Sequence, residues 1–460
     1  MADLYLYSSK SQKKQLFVPL DPEHIKMYVC GPTVYDYIHI GNARPVVVFD
    51  VLYRVLRAIY PSVTYARNLT DVDDKIIDRA LEKQVKINDL TAEMIEAFQS
   101  HVAALNSLNP DVQPRATDHI KDMIQMIERL IKNGAAYQAE GHVLFDVSQD
   151  DTYGDLSHRC LDDMKAGARV NVESYKRNPN DFVLWKPADS SDVGWDSPWG
   201  YGRPGWHIEC SAMIQHVFKG PIDIHGGGID LLFPHHENEN AQSRCALKYD
   251  NLAQYWVHNG LLQVEGTKMS KSLGNFYTLH EKLQEMPGEL IRLILLSSHY
   301  RQPLDWTENR VHQSRQTLNK FYQAVEGCEE DFEVAARFEN LDSDFAKALL
   351  DDLNTVAAIQ RLQDMAQEIL VTKGSHKKEM QKKFIASARF LGFLDLKPED
   401  WFHDLTGIDL TVEQIQEKIQ ARSEAKQQKD YQAADQIRNQ LQAQGIALED
   451  GANGTAWRRV

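Results

Sequence analysis

Ile25-Lys-Met-Tyr-Val-Cys30 is followed by Gly31-Pro32-Thr33, by an apolar run over 46–60, and by Val63-Thr-Tyr-Ala-Arg-Asn68. The first piece reads as a short apolar strand that the Gly-Pro pair ends. The run over 46–60 sets Val, Phe, Leu and Ile at mostly helical spacing. The third piece is a strand again. Strand, loop, helix and strand in this order form the unit of a parallel, doubly wound sheet, an α/β fold of Rossmann type. Ligands of such sheets bind beyond the carboxyl ends of the strands. Cys30 stands at one such end, and the polar Asn68-Leu-Thr-Asp-Val-Asp-Asp74 at the next.

Working outward, residues 90–105 and 119–132 read as amphipathic helices. Between about 136 and 200 short strand patterns and a loop rich in Ser, Asp, Gly and Trp interrupt the alternation, as an insertion would. The sheet resumes with a helix around Cys210 and strands near 222–225 and 254–258. From 287 onward helical spacing dominates, over 289–296, 308–325, 345–362 and 378–391, which predicts a helix bundle with scarce strand signal. A small α+β unit closes the chain, with helices over 411–425 and 431–444 and a hairpin turning between Asp450-Gly451 and Asn453-Gly454. The expected organisation is 1–116 and 201–286 as two halves of the Rossmann-type core, 117–200 inserted between them, 287–398 as the bundle and 399–460 as the C-terminal unit.

The chain has 460 residues, enough for about three domains. Its 43% hydrophobic and 25% charged residues are those of a soluble globular protein. No run of about 18 apolar residues is present, so no membrane span is expected. The N-terminus lacks the pattern of a secretory signal. Five scattered cysteines argue for a reducing compartment and for free thiols, hence a cytoplasmic protein. A net charge of −15 argues only weakly against nucleic acid, because a basic track can lie on an acidic body.

The densest chemistry lies between Trp206 and Asn240. His235 and Glu239 are four apart and share a helix face, so both can grip one ion. Cys210 can join them from a neighbouring helix, which makes three ligands of zinc type, and Cys30 is the best candidate for a fourth. The bland alternative is a set of ordinary helix-surface residues. His39-Ile-Gly-Asn42 lies between the first strand and its helix, where a His and free amides suit phosphate and Gly41 lets a flat ring approach the backbone. Lys268-Met-Ser-Lys-Ser272 puts two ammonium groups on a loop that can close over a triphosphate.

Together these two motifs resemble the HIGH and KMSKS signatures of the class I aminoacyl-tRNA synthetases. Cys30-Gly-Pro-Thr-Val-Tyr35, Asn68-Leu-Thr-Asp-Val-Asp-Asp-Lys75, Gly205-Trp-His-Ile-Glu-Cys-Ser-Ala-Met213, Asp223-Ile-His-Gly-Gly-Gly228 and Phe233-Pro-His-His-Glu-Asn-Glu239 narrow the likeness to the cysteinyl-tRNA synthetases. It extends to Lys429-Asp-Tyr-Gln-Ala-Ala-Asp-Gln-Ile-Arg438 and Gly454-Thr-Ala-Trp-Arg-Arg459. Asn42 replaces the last His of the general signature, a form usual in this family.

The resemblance implies that Cys30, Cys210, His235 and Glu239 bind zinc, which takes the thiol of substrate L-cysteine. It implies that Gly31, Thr70, Trp206 and His225 line the amino acid site, with His207 beside the ligands. His39, Gly41, Asn42, Gly226, Gly228 and Asp230 would meet ATP, with Lys268 and Lys271 at the reacting phosphate and Mg2+ accompanying it. Asp435, Arg438, Trp457 and Arg458 are candidates for anticodon contacts in tRNA(Cys), although Trp457 serves equally well as a hairpin core residue. A monomer without a hydrolytic editing site is implied. Two rivals share parts of this pattern. A ligase joining cysteine to an amino sugar would share the zinc and both signatures but lack 400–460. A zinc hydrolase would leave the lysine loop unexplained.

Overall fold

The computed structural model describes residues 2–160, 173–190, 192–328, 338–451 and 454–459, and of Lys271 the backbone alone. The chain opens with a hairpin, β1 (Tyr5–Ser8) and β2 (Lys13–Leu16), and then enters β3 (Ile25–Val29). Helix α1 (Ile40–Ile59) crosses from β3 to β4 (Val63–Arg67). It begins before the apolar run that announces it. His39 caps it through an Nδ1 that accepts from the Asn42 amide, and the apolar periodicity starts only after Pro45. Helices α2 (Asp74–Lys83), α3 (Ile87–Ala104) and α4 (Ile120–Lys132) follow.

An antiparallel sheet then forms from β5 (Ala136–Ala139), β6 (His142–Phe145), β7 (Phe182–Pro187) and β8 (Gly202–Pro204), in that order. It shares a core with α4 and with α5 (Trp206–Phe218) that includes Ile127, Leu130, Phe145, Trp185, Ile208 and Ala212. The expected limit at 200 falls short of this sheet, because Trp185 pairs with Pro204.

After α5 the chain returns to the central sheet as β9 (Ile222–Gly228), α6 (Glu237–Leu247) and β10 (Ala253–Asn259). The sheet order is β10-β9-β3-β4, all parallel. β4 therefore lies on one side of β3 and β9 on the other, which places a topological switch point between β3 and β9. Both strands are almost wholly buried, as strands covered on both faces must be.

Beyond β10, the strands β11 (Leu262–Val264) and β12 (Thr267–Lys268) join β13 (Leu304–Trp306), which comes from the region expected to be helical. Three residues are too few to show a period. Between them lie α7 (Leu279–Glu285) and α8 (Gly288–Leu296). The bundle is α9 (Glu308–Val325), α10 (Ser343–Leu350), α11 (Thr355–Val371) and α12 (Ser375–Phe390). One helix over 345–362 was the expectation, and two form. Asp352 and Leu353 break it at φ 57° and 51°. The buried Asp352 carboxylate accepts from the Tyr7 amide, the Tyr300 hydroxyl and Arg301 Nε at 2.8, 2.7 and 2.8 Å, which ties the break to β1 and to the segment before β13. A buried ion pair between Asp50 of α1 and Arg292 of α8, 2.5 Å apart, joins the core to the helix before the bundle, and Arg292 Nε donates to the Leu391 carbonyl past the end of α12.

The last unit has α13 (Pro398–Phe402), α14 (Val412–Gln427), α15 (Tyr431–Ala443) and an antiparallel hairpin, β14 (Ile446–Gly451) and β15 (Gly454–Arg459). The expected turn includes Asn453, and 452–453 lie outside the described residues. Among the described residues no helix is long and apolar enough to cross a membrane.

Candidate active site and metal centre

The switch point gathers the residues that the sequence scatters over more than 200 positions. Cys30 follows β3 directly, and its amide donates to the Gly226 carbonyl of β9 at 3.1 Å. Cys210 sits buried in the second turn of α5. Glu239 lies in the first turn of α6, and His235 precedes it by four residues in a short, wide π-type turn over Leu232–His236. Their donor atoms converge. Sγ of Cys30 and Cys210 are 3.7 Å apart, and Cys210 Sγ is 3.6 Å from His235 Nε2. Glu239 Oε1 is 3.1 Å from that nitrogen and 3.5 Å from Cys30 Sγ.

These separations have the size of a tetrahedron's edges. Ligands at zinc distances would place two sulfurs about 3.8 Å apart, and a sulfur and a nitrogen about 3.5 Å. The residues present therefore fit zinc. A second grouping keeps Cys30 and Glu239 and adds His225 and His236. It offers one sulfur instead of two, and His236 Nε2 stands 4.0 Å from Glu239, so the two-sulfur set suits zinc better.

Burial shapes the charges. It pushes the Cys30 thiol well above its usual range. At Cys210 the hydrogen bond from Cys30 pulls downward, but burial and the Glu239 charge outweigh it and the thiol rises. Burial drives His235 well below its usual value, aided by His207 and His225. Left to themselves, these groups are neutral thiols and a neutral imidazole. A cation reverses that preference by holding thiolates.

A ring of contacts orients the set. His207 Nδ1 meets His235 Nδ1 at 2.9 Å, and His225 Nε2 meets Glu239 Oε2 at 2.8 Å. Trp206, 39% exposed, stacks on the His235 ring at 4.1 Å. Gly31 donates to Asn68 Oδ1 at 2.8 Å, and a Cβ there would stand 1.7 Å from the Asn68 carbonyl oxygen. Thr70 donates to the buried Glu209 at 2.9 Å. Sequence reasoning missed Glu209, and it missed the buried line in which His236 meets His258 at 2.8 Å and His258 meets Ser9 at 2.7 Å. Only the place of His258 near the end of a strand could have pointed to it.

Gly226 is glycine because a Cβ would lie 2.2 Å from the Phe49 ring. At Gly228 it would lie 2.4 Å from Asp230 Oδ1. Burial lowers His39 to about 4, against the opposing charge of Asp230. The two signature segments touch. Ile40 donates to the Tyr277 carbonyl, Leu279 donates to Ile38, and Met269 Cε lies 3.5 Å from where a Cβ of Gly41 would be. Asn42 supplies its amide to the cap, Lys268 is exposed at the end of β12, and the side chain of Lys271 lies outside the described residues. Asn275 braces this loop by accepting from the Ser270 amide at 2.8 Å and donating to Thr267 at 3.0 Å.

The four C-terminal candidates do not form one surface. Asp435 and Arg438 are exposed on α15. Trp457, 7% exposed, packs in a core with Ile415, Leu441, Ile446 and Leu448, because its pairing opposite Leu448 turns it inward. Arg458 is held by Glu326 at 2.8 Å and Glu449 at 3.2 Å.

Residues 16–316 match the family model of the tRNA synthetases class I (C) catalytic domain. The cysteine–tRNA ligase of Paramagnetospirillum magneticum is 52% identical, over 99% of this chain and 99% of its own. That of Saccharophagus degradans is 49% identical, over 99% of this chain and 100% of its own. Among solved structures, Mycobacterium tuberculosis methionyl-tRNA synthetase with methionyl-adenylate shares the fold at a TM-score of 0.55 and 15% identity, covering 80% of this chain and 89% of that one. The leucyl enzyme of Agrobacterium radiobacter, in a ternary complex with tRNA, does so at 0.57 and 11%, covering 82% and 84%. The curated likeness includes the C-terminal unit, so an amino-sugar ligase gains no support from it. The chain belongs to the class I cysteinyl-tRNA synthetases.

Proposed function

We propose that this chain activates L-cysteine with ATP and transfers it to the 3′ end of tRNA(Cys). The observation that carries the reading is the convergence of Cys30, Cys210, His235 and Glu239 at the switch point, beside touching HIGH and KMSKS segments. A zinc ion held by these four residues would supply an affinity for thiolate that a serine hydroxyl cannot match. Such a demand for one interaction rejects analogues better than a shaped pocket does, which removes the need for editing.

The remaining roles belong to side chains and backbone. Trp206, Gly31 and Thr70 would enclose the amino acid, with His225 holding Glu239 in place. His39 accepts from the Asn42 amide through Nδ1, so as a neutral ring it carries its proton on Nε2. That N–H can donate to a phosphate oxygen. Gly41, Gly226 and Gly228 would leave room for the adenosine, and Asp230 would accept from a ribose hydroxyl. Lys268 and Lys271 would neutralise charge at the reacting phosphate, together with the Mg2+ of the nucleotide. In the first step a cysteine carboxylate oxygen bonds to the α-phosphorus and the bond to pyrophosphate breaks. In the second, a terminal ribose hydroxyl of the tRNA attacks the adenylate carbonyl and AMP leaves.

In this reading 287–398 lie along the tRNA and 399–460 meet its anticodon, with exposed Asp435 and Arg438 suited to unpaired bases. The enzyme acts as a monomer in the cytoplasm, where its five cysteines stay reduced. The test is cysteine-dependent ATP–pyrophosphate exchange without tRNA, followed by charging of bulk tRNA with labelled cysteine against labelled serine. Zinc-loaded protein that exchanges nothing, or that charges both amino acids alike, would overturn the proposal.

A further inference from the structure

A second group of donors meets where the last turn of α5 comes against the start of α4. His119 ends a 3-10 turn over Ala116–His119 and stands at the N-cap position of α4, yet its ring does not cap the helix. It turns to Asp122 instead, with Nδ1 2.9 Å from Oδ2. His216, in the last turn of α5, reaches the same oxygen with its own Nδ1 at 3.1 Å. The two imidazole rings are 4.5 Å apart and inclined at 67°. Two ring nitrogens from different helical segments thus converge on one carboxylate oxygen, and all three donor atoms lie within 4.8 Å of one another.

The surroundings suit a binding site. Side-chain exposure rises from 11% at His119 to 33% at Asp122 and 47% at His216, so the group is anchored on one side and open to solvent on the other. The elements beneath it are fixed by a shared core that includes Ala116, Met123, Ile127 and Ala212. Two imidazoles and one carboxylate are a donor set for zinc, cobalt, nickel or copper, whereas magnesium and calcium favour all-oxygen shells. The competing account is a plain hydrogen-bonded triad in which each ring gives its Nδ1 proton to Asp122. A metal would take up the lone pairs of those same nitrogens, so the two accounts differ in measurable stoichiometry.

We propose that His119, Asp122 and His216 form an auxiliary site for a divalent cation of zinc type, with a fourth position left to water. The site shares no residue with Cys30, Cys210, His235 and Glu239. It ties the first turn of α4 to the last turn of α5, about 9 Å along the helix axis from Cys210. With no sulfur and only three protein ligands, it binds less tightly than the four-ligand centre and fills when the cation is in excess. Its occupancy stiffens the helix that carries Trp206, His207 and Cys210 in its opening turns.

Metal counting on the full chain tests this. Protein loaded with its first zinc is equilibrated with free Zn2+ over a micromolar range, and bound zinc is counted per chain. A second equivalent is expected in the parent protein. It should weaken at least tenfold in His216→Gln and in Asp122→Asn, both of which should keep the first. The parent's melting temperature should rise with added Zn2+ above one equivalent, and that rise should vanish in the variants. Melting without added zinc, compared across the three proteins, shows that each is folded. A parent chain that stops at one zinc, or variants that take up the second zinc as the parent does, would overturn the proposal.

Discussion

His225 Nε2 lies 2.8 Å from Glu239 Oε2, and both side chains are wholly buried. The other oxygen of that carboxylate faces His235 and Cys30. His225 therefore decides which way Glu239 presents itself to the sulfur cluster, and its own ring is fixed by stacking on Trp256 at 4.6 Å. Partners that orient ligands in this way matter for metal affinity about 10–100-fold. His225→Ala should lower zinc affinity by that range and raise KM for cysteine while leaving KM for ATP nearly unchanged. His225→Gln, which keeps a hydrogen bond to Glu239, should recover part of both. Competition against a chelator reads the affinity. An unchanged value in His225→Ala would leave Glu239 oriented by something else.

Cys210→Ser probes the cluster itself. It exchanges a soft donor for a hard one beside the buried His235 and Glu239. Zinc content should fall, and kcat/KM for cysteine should drop much more than the KM for ATP shifts. Full zinc with unchanged use of cysteine would remove Cys210 from the site.

Much of this arrangement was legible in the chain. The 3.6 period over 46–60 and the flanking strands predicted the crossover unit that forms, and Cys30 does stand just past the end of β3. The i, i+4 spacing of His235 and Glu239 predicted a shared face, and their donor atoms do stand 3.1 Å apart. What stayed hidden depends on long-range contacts with no local signature. Glu209 is a buried acid on α5, and its partner Thr70 comes from beyond the end of β4, 139 residues away. His258 belongs to the site only because β10 neighbours β9. The break at Asp352 is imposed by Tyr7 and Tyr300, far off in sequence, against a helical pattern that runs through it.

Two glycines separate steric need of different kinds. A Cβ at Gly226 would sit 2.2 Å from the ring of Phe49, a side chain that can be trimmed. A Cβ at Gly31 would sit 1.7 Å from the Asn68 backbone oxygen, which cannot. Gly226→Ala should destabilise the fold by about 1–3 kcal/mol, as overpacking does. Adding Phe49→Leu should restore part of the melting temperature. Gly31→Ala should lose cysteine-dependent exchange with no such rescue. Normal exchange in Gly31→Ala would show that the Cys30–Gly31 backbone yields more readily than this contact allows.

His101 should make the protein sensitive to mild acid. It is 8% exposed in α3, with Nε2 3.1 Å from Nδ1 of His280, whose ring stacks on Tyr37 at 4.3 Å. Burial, and then the charge of His280, lowers it from the usual 6.5 to about 4. The unfolded chain takes up this proton below pH 6.5 and the folded chain does so only near 4, so stability falls as pH drops across that window. The loss is on the order of 3 kcal/mol. Replacing the ring in His101→Leu should flatten this part of the stability–pH curve. A slope equal to the parent's would assign the acid sensitivity to other groups.

The C-terminal unit should divide cleanly under mutation. Trp457 supplies much of a small core, and removing a buried ring of that size costs about 3–5 kcal/mol. Trp457→Ala should melt 399–460 early and impair charging of tRNA while sparing ATP–pyrophosphate exchange. Arg458→Ala breaks an ion pair to Glu326 that is about a third exposed, a contact worth about 0–1 kcal/mol, so its effect on melting should be small. Asp435→Ala and Arg438→Ala change exposed positions on α15 and should leave melting unchanged. If α15 reads the anticodon, these two substitutions raise KM for tRNA and leave exchange untouched. An unchanged KM for tRNA in both would move the contact surface off α15.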